Sequence, residues 1–337
     1  MANQFRWFAK VKSRNSSPFY ESLSLKIAED KELLSSLTCA NEPVPNILFG
    51  AVHFLLLKGV QSKLAAFYPS LLLKTPLKKD PYPFFRSFFF DNKAEIQEII
   101  SSKLVQTNEI QRCSYLYPAF CLISSMVPEK KLTLVEIGAS AGLNLIFDHY
   151  SYNYGGKNYY GDQLSTIQIN SLLKGGKFPD LSQKLSSIRC RIGIDLNPIH
   201  YRDSEAILWL RALVWPEHTE RANLLLKALE VVKNYPIKLI KGDAVKILPE
   251  LLSQIPHHTV PCIFHTLTIN QFSEKKKGDL FTTIKDYSLR RTLFHISCEW
   301  QGANYPELEL IMHKDGIKTK RLLAYCDLHG RWIEWLH

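Results

Sequence analysis

Leu132-Thr-Leu-Val-Glu-Ile-Gly-Ala-Ser-Ala-Gly-Leu-Asn-Leu145 is the stretch on which the fold turns. Its first six residues form an apolar run interrupted by one carboxylate. That is the composition of a strand covered on both faces, as in a parallel sheet. Gly138 and Gly142 follow at a spacing of four, and only glycine enters left-handed backbone conformations without steric cost. A helix is expected from about Ala141 to His149. Strand, tight turn and helix in this order aim backbone N–H groups at a ligand held beside the turn.

Outward from this segment the pattern repeats. Strands are expected at Leu132–Ile137, Ser187–Ile194, Ile237–Lys241, Val260–Leu267 and Arg291–Cys298. Helices are expected at about Ala141–His149, Tyr201–Leu213, His218–Lys233, Ala244–Leu252 and Asp279–Leu289. Apolar strands alternating with amphipathic helices define an α/β fold with a doubly wound, mostly parallel, Rossmann-like sheet. Tyr150, Tyr152 and Tyr154 alternate toward Gly155-Gly156 and predict a hairpin inserted at about 150–186, with a lid or substrate wall as its function. The turn signals Asp315-Gly316 and His329-Gly330 predict antiparallel C-terminal strands ending at Trp332–Trp335. The first 130 residues read as helical. Residues 1–15 are expected as a frayed arm. Ser17-Pro18 starts a helix, a second runs from about Asn46 to Lys58, and the Pro/Lys-rich stretch Lys74 to Pro83 is a break. Asn92-x-x-Glu95 and Asn108-x-x-Gln111 read as capping boxes, the latter for a helix to about Met126 that Pro118 should kink. The expected organisation is a helical region over 1–130 packing on an α/β domain over 131–337.

In a doubly wound sheet, ligands sit outside the carboxyl ends of the strands. Successive strand ends carry Glu136, Asp195 in Gly193-Ile-Asp-Leu-Asn-Pro198, and Asp243 in Gly242-Asp-Ala244. A carboxylate after the second strand suits two ribose hydroxyls, and one after the third suits an exocyclic adenine amine. Each aspartate taken alone reads equally as a helix cap. Glu136-x-Gly138-x-x-x-Gly142 fits the first motif of S-adenosylmethionine-dependent methyltransferases. It fits a dinucleotide site less well, because Gly-x-Gly-x-x-Gly needs glycine where Ser140 and Leu143 stand. Asp195 also lies far beyond the usual acid, about 20 residues on. The cofactor-binding set read from this pattern is Glu136, Gly138, Ala139, Ser140, Gly142, Asn144, Asp195, Asp243 and Ala244. Arg112 joins it as a partner for a ligand carboxylate. Its alternative role is an i, i+3 pair with Glu109. Arg211 and Arg221 either recognise an anionic substrate or brace a helix. His265 and Glu299, at the ends of the fourth and fifth strands, are the candidates for a catalytic base.

A rival is written in the same residues. Gly138-Ala139-Ser140-Ala141-Gly142 is also a Gly-x-Ser-x-Gly nucleophile elbow. It would make Ser140 the nucleophile of a serine hydrolase, with His295 or His329 and an acid such as Asp243. A third possibility is a nucleoside-binding protein without catalysis.

The 337 residues are 46% hydrophobic, enough to bury a large core. Seven scattered cysteines include no Cys-x-x-Cys or Cys/His cluster, so neither a disulfide framework nor a metal site is expected. No signal-peptide pattern opens the chain, and the apolar run Ile47–Leu57 is too short to span a bilayer. The expected location is the cytoplasm, with no membrane partner. The formal charge of +10 is spread along the chain, with short clusters at Lys275-Lys276-Lys277 and Lys318-Thr-Lys-Arg321. No nucleic-acid motif accompanies it, and the expected partner is a small-molecule substrate.

Five segments carry a family resemblance: Ser17-Pro-Phe-Tyr20, Val105-Gln-Thr-Asn-Glu109 with Arg112-Cys113, Glu136–Leu145, Trp209-Leu-Arg-Ala-Leu-Val-Trp-Pro-Glu217 and His329-Gly-Arg-Trp332. Over nearly its whole length the chain resembles the bacterial domain-of-unknown-function family 2332. The resemblance implies a methyltransferase-like Rossmann fold and no particular reaction. The reading that joins these observations is an S-adenosylmethionine-dependent methyltransferase acting on a small or medium-sized substrate.

Overall fold

The apolar segments of the C-terminal two thirds assemble into one sheet in the computed structural model, which describes residues 1–38, 43–72, 77, 79–182 and 185–337. Cys39, part of the Lys74–Pro83 break and residues 183–184 of the insertion lie outside the described residues. Twelve strands form among the described residues: β1 (Lys131–Ile137), β2 (Ser151–Asn153), β3 (Tyr160–Gly161), β4 (Gln168–Asn170), β5 (Leu172–Lys174), β6 (Ile188–Asp195), β7 (Lys238–Lys241), β8 (Thr259–Thr266), β9 (Leu293–Glu299), β10 (Glu307–Lys314), β11 (Ile317–Cys326) and β12 (Trp332–Trp335). Nine of them make a sheet in the order β5-β12-β11-β10-β9-β8-β1-β6-β7.

β1, β6, β7, β8 and β9 are parallel, and renumbered among themselves they run 3-2-1-4-5. That is the doubly wound order, and its switch point lies between β1 and β8. β10, β11 and β12 continue as an antiparallel meander. The chain is thus α/β with a large, mostly parallel sheet. The insertion is more than a hairpin: β3-β2-β4 form a separate three-stranded sheet, and β5 joins the main sheet beside β12.

Eleven α-helices occur among the described residues: α1 (Ala2–Trp7), α2 (Pro18–Ile27), α3 (Lys31–Ser36), α4 (Val44–Leu57), α5 (Tyr82–Asp91), α6 (Lys93–Ser102), α7 (Cys113–Met126), α8 (Ser204–Ala212), α9 (Thr219–Val232), α10 (Ala244–Ser253) and α11 (Glu274–Ser288). The chain divides into two compact units. One comprises 1–107 and 202–223, the other 108–201 and 224–337.

The helical unit is built on aromatic packing. Tyr20 stacks on Phe49 at 4.2 Å between ring centroids. The side chain of Ser17 caps α2, accepting from Tyr20 N, and donates to Glu217, which also accepts from Phe19 N. Residues 1–15 are not a frayed arm. Ala2–Trp7 is helical and Phe8–Ser13 a π-helical turn, because Phe5 and Phe8 are buried against Phe49 and anchor both. Asn92 does not cap α6 through its side chain, which donates instead to Phe88 O at the end of α5.

In the sheet unit α7 continues through Pro118. Proline cannot bond the carbonyl four residues back, and the freed oxygen of Ser114 accepts from Tyr154 Oη at 2.7 Å. The neighbouring insertion tyrosines are buried too: Tyr150 donates to Leu143 O and Tyr152 to Phe147 O. α11 begins a turn earlier than expected, capped by Ser273, so that Lys275–Lys277 belong to its first turn. Among the described residues no helix is long and apolar enough to cross a membrane.

Candidate functional site

Parallel pairing brings the three strand-end acids to adjacent positions. Glu136 pairs in register with Gly193, two residues before Asp195, and Asp195 pairs with Lys241, two before Asp243. Gly193 is required for this closeness: a Cβ there would lie 2.5 Å from the Cβ of Ala139.

The turn after β1 enters the left-handed region at three places, of which only Ser140 is strained. Gly138 (φ 79°), Ser140 (φ 52°) and Gly142 (φ 74°) all lie in the left-handed region. The segment that follows is a 3₁₀ turn over Leu143–His149, not the α-helix expected from Ala141. The turn does not present free N–H groups. Gly138 N and Ala139 N donate to Ile194 O. Ser140 N donates to Asp195 Oδ2 at 2.8 Å. Ala141 N and Leu143 N both donate to Asn108 Oδ1 at 3.2 Å, and Gly142 N to Ala139 O. Asn108 therefore caps this turn and not its own helix, a role that its sequence position does not reveal. Gly138 is roofed by Thr268, whose Oγ1 would lie 2.4 Å from an added Cβ.

What the strand ends do offer is carboxyl groups. Glu136 is 1% exposed; its Oε1 accepts from Asn144 Nδ2 at 2.9 Å, and its Oε2 has no partner among the described residues. Burial, reinforced by the nearby Asp195, pushes the Glu136 carboxyl up to about 8 despite the Asn144 bond. Asp195 also accepts from Asn197 N through Oδ1. Asp243 caps α10, accepting from Val245 N, and pairs with Lys276 at 2.7 Å, which holds it below the usual carboxylate range. Ala244 is the buried first residue of that helix. Arg112 is clamped to carbonyls, Nε to Leu328 O and Nη1 to Thr266 O, both at 3.1 Å. Its Nη2 makes no hydrogen bond among the described residues; Glu109, its alternative partner, lies 3.3 Å from His329 Nδ1.

The elbow reading meets a difficulty at its nucleophile. Ser140 has the positive φ of a strained turn, but its Oγ is buried and without a hydrogen-bond partner among the described residues. No histidine among the described residues bonds to it. Arg221 donates to His218 Nδ1 at 2.9 Å within the helical unit.

His265 and Glu299 are joined directly, His265 Nδ1 to Glu299 Oε1 at 2.7 Å. Glu299 Oε1 also accepts from Thr268 N and Ile269 N, and Oε2 from Asn270 N. Burial alone would raise this carboxyl; the bonds from His265 and the backbone outweigh burial and lower it. The same carboxylate thus pins the turn that roofs Gly138. His265 Nε2 lies 2.8 Å from His295 Nε2, so both nitrogens of His265 are engaged inside the protein. The residue at the far end of this chain is His295, which the sequence offered as a histidine of the serine hydrolase. A period-2 signal exists (His295, Ser297 and Glu299 share one strand face), but the register that places Ile311 beside His295 and Lys320 beside Ile311 is not written locally.

A family model described as "Uncharacterized protein conserved in bacteria (DUF2332)" matches residues 2–335. The chain belongs to that family. No curated protein matches it.

Proposed function

We propose that this chain is a cytoplasmic S-adenosylmethionine-dependent methyltransferase of the methyltransferase-type Rossmann fold, acting on a small or medium-sized substrate. The observation that carries the reading is the polarity of the carboxyl ends of β1, β6 and β7. Every N–H from Gly138 to Leu143 is already bonded within the protein, so a pyrophosphate finds no free donors there. The groups at the carboxyl edge are carboxyls on three adjacent strands: Asp195 and Asp243 as acceptors, and Glu136, which burial keeps protonated until a cation meets it. S-adenosylmethionine suits that polarity. It has no phosphate, carries a sulfonium and an ammonium, and presents ribose hydroxyls and an exocyclic amine as donors. In this reading Asp195 takes the ribose, Asp243 the adenine side after releasing Lys276, Glu136 the cationic end, and Arg112 Nη2 the carboxylate. Methyl transfer needs chiefly alignment of donor and acceptor, which a rigid crevice supplies.

Native mass spectrometry of the purified protein, with thermal shift against S-adenosylhomocysteine, tests this. Ligand at 100 times its dissociation constant adds about 2.7 kcal/mol of stability. Absence of any shift at millimolar S-adenosylhomocysteine and S-adenosylmethionine removes the reading. Binding without turnover on a substrate panel leaves the non-catalytic alternative.

A further inference from the structure

We infer that the cavity between α11 and strands β9–β11 binds a small anion carrying a hydroxyl or amine, with His295 as the residue that accepts its proton. The cavity has a volume of about 620 Å³, within the roughly 300–1,000 Å³ of small-molecule sites. His295, Ile311 and His313 line it from the sheet and Phe281 and Lys285 from α11, while Glu299 closes one end. It lies apart from the residues assigned to the nucleoside, and the inference does not depend on that reading.

The protonation pattern follows from donor and acceptor rules. An ionised Glu299 can only accept, and it takes hydrogen bonds from three backbone N–H groups and His265. His265 Nδ1 therefore carries the proton toward Glu299. When that ring is neutral its Nε2 is an acceptor, and the 2.8 Å contact is then made by a proton on His295 Nε2. His295, also neutral, is left with an unprotonated Nδ1, and that atom has no partner among the described residues. Among those residues no three His, Cys, Asp or Glu side chains converge as metal ligands, so the contact between the two imidazoles is read as a hydrogen bond. Burial holds His295 well below the ordinary histidine range, aided by His265, His313 and Lys318. His313, 4% exposed with an unpartnered Nε2, is lowered to about 4 by burial and Lys318.

The charges at the mouth select the ligand. Lys277 pairs with Glu274 and Lys320 with Glu309. Lys285 and Lys318 also line the cavity and form no ion pair among the described residues. Two unpaired ammonium groups beside two neutral imidazoles call for an anion. The unprotonated nitrogen calls for a donor on the same molecule. Proton transfer balances without a co-reactant. The ligand O–H or N–H proton moves to His295 Nδ1, the Nε2 proton of His295 moves to His265 Nε2, and the resulting imidazolium rests against Glu299. His265 and Glu299 act through His295 as positioning residues.

The test is NMR of the full chain with ¹⁵N-labelled histidine, titrated separately with glycerol 3-phosphate, gluconate and sulfate. Expected before ligand is a neutral His295 with its proton on Nε2; a proton on Nδ1 overturns the inference. Expected on titration is a saturable shift of the His295 and His313 rings with glycerol 3-phosphate, gluconate or both, the arm that saturates identifying a phosphate or a carboxylate ligand. Sulfate, an anion without a donor at neutral pH, should bind at least about tenfold more weakly, since polar sites reject analogues lacking the donor. Shifts that only grow linearly in both arms, or sulfate binding equally well, overturn it. Lys285→Gln with Lys318→Gln should weaken binding about tenfold at unchanged melting temperature; unchanged affinity counts against the site. His265→Phe, which cannot accept from His295, should give a mixture of His295 tautomers, and an unaltered single tautomer refutes the relay. S-adenosylhomocysteine added to the same sample reports on the other site separately.

Discussion

Asp195 holds two turns of the fold, and the proposed function gives the same side chain a second role at the ribose. Its Oδ2 accepts from Ser140 N and its Oδ1 from Asn197 N, each over 2.8 Å, so it caps two turns at once. A carboxylate retains further lone pairs after two such bonds. Asp195→Ala should therefore act twice. Loss of the caps should lower apo stability by about 1–2 kcal/mol. Loss of charge-assisted bonds to the ribose should weaken S-adenosylhomocysteine by about ten- to a hundredfold. Calorimetric titration beside a denaturant melt reads both; a stability loss with unchanged affinity takes Asp195 out of the site. Sequence position alone made cap and ligand carboxylate alternatives, and the structure shows the cap.

At the scale of elements, the turn after β1 is held by what lies across from it. Gly138 combines φ 79° with Thr268 Oγ1 at 2.4 Å from a would-be Cβ. A left-handed alanine costs about 1–2 kcal/mol before any clash. Gly138→Ala should thus lose more than about 2 kcal/mol, and Thr268→Ala in the same chain should recover part of it. A double-mutant cycle measured by chemical denaturation gives the coupling, and strictly additive losses would show that Thr268 does not roof the turn. Glycine spacing revealed the turn, whereas its occupied N–H groups depend on Asn108 and Ile194, which are remote in the chain. The N-terminal helix teaches the converse. Its short polar sequence has too little periodicity to announce a helix, yet Phe5 is fully buried. Phe5→Ala should cost about 3–5 kcal/mol in a denaturant melt, whereas an unstructured arm would lose nothing.

For the whole molecule, the buried Glu136 couples stability to pH. Its carboxyl is raised to about 8 in the fold, from an ordinary value near 4.3 in the unfolded chain. Between these limits the native state keeps a proton that the unfolded chain has lost. The stability linked to this group is fully present below the unfolded value and falls by about 1.4 kcal/mol per pH unit until it is gone near pH 8. Glu136→Gln should flatten that slope between pH 5 and 8 in denaturant midpoints; an unchanged slope places the linkage elsewhere. The sequence by itself determined the α/β class, the run of core strands, the antiparallel tail and the strand ends that carry Glu136, Asp195 and Asp243. These follow from local apolar periodicity and turn chemistry, which neighbouring residues encode directly. Only the tertiary structure decided that the turn's N–H groups are already engaged, that Glu299, His265 and His295 form one hydrogen-bonded chain, and that Lys285 and Lys318 face the same cavity. Those facts depend on strand register and on a helix laid across three strands, and both are settled by burial summed over the whole sheet.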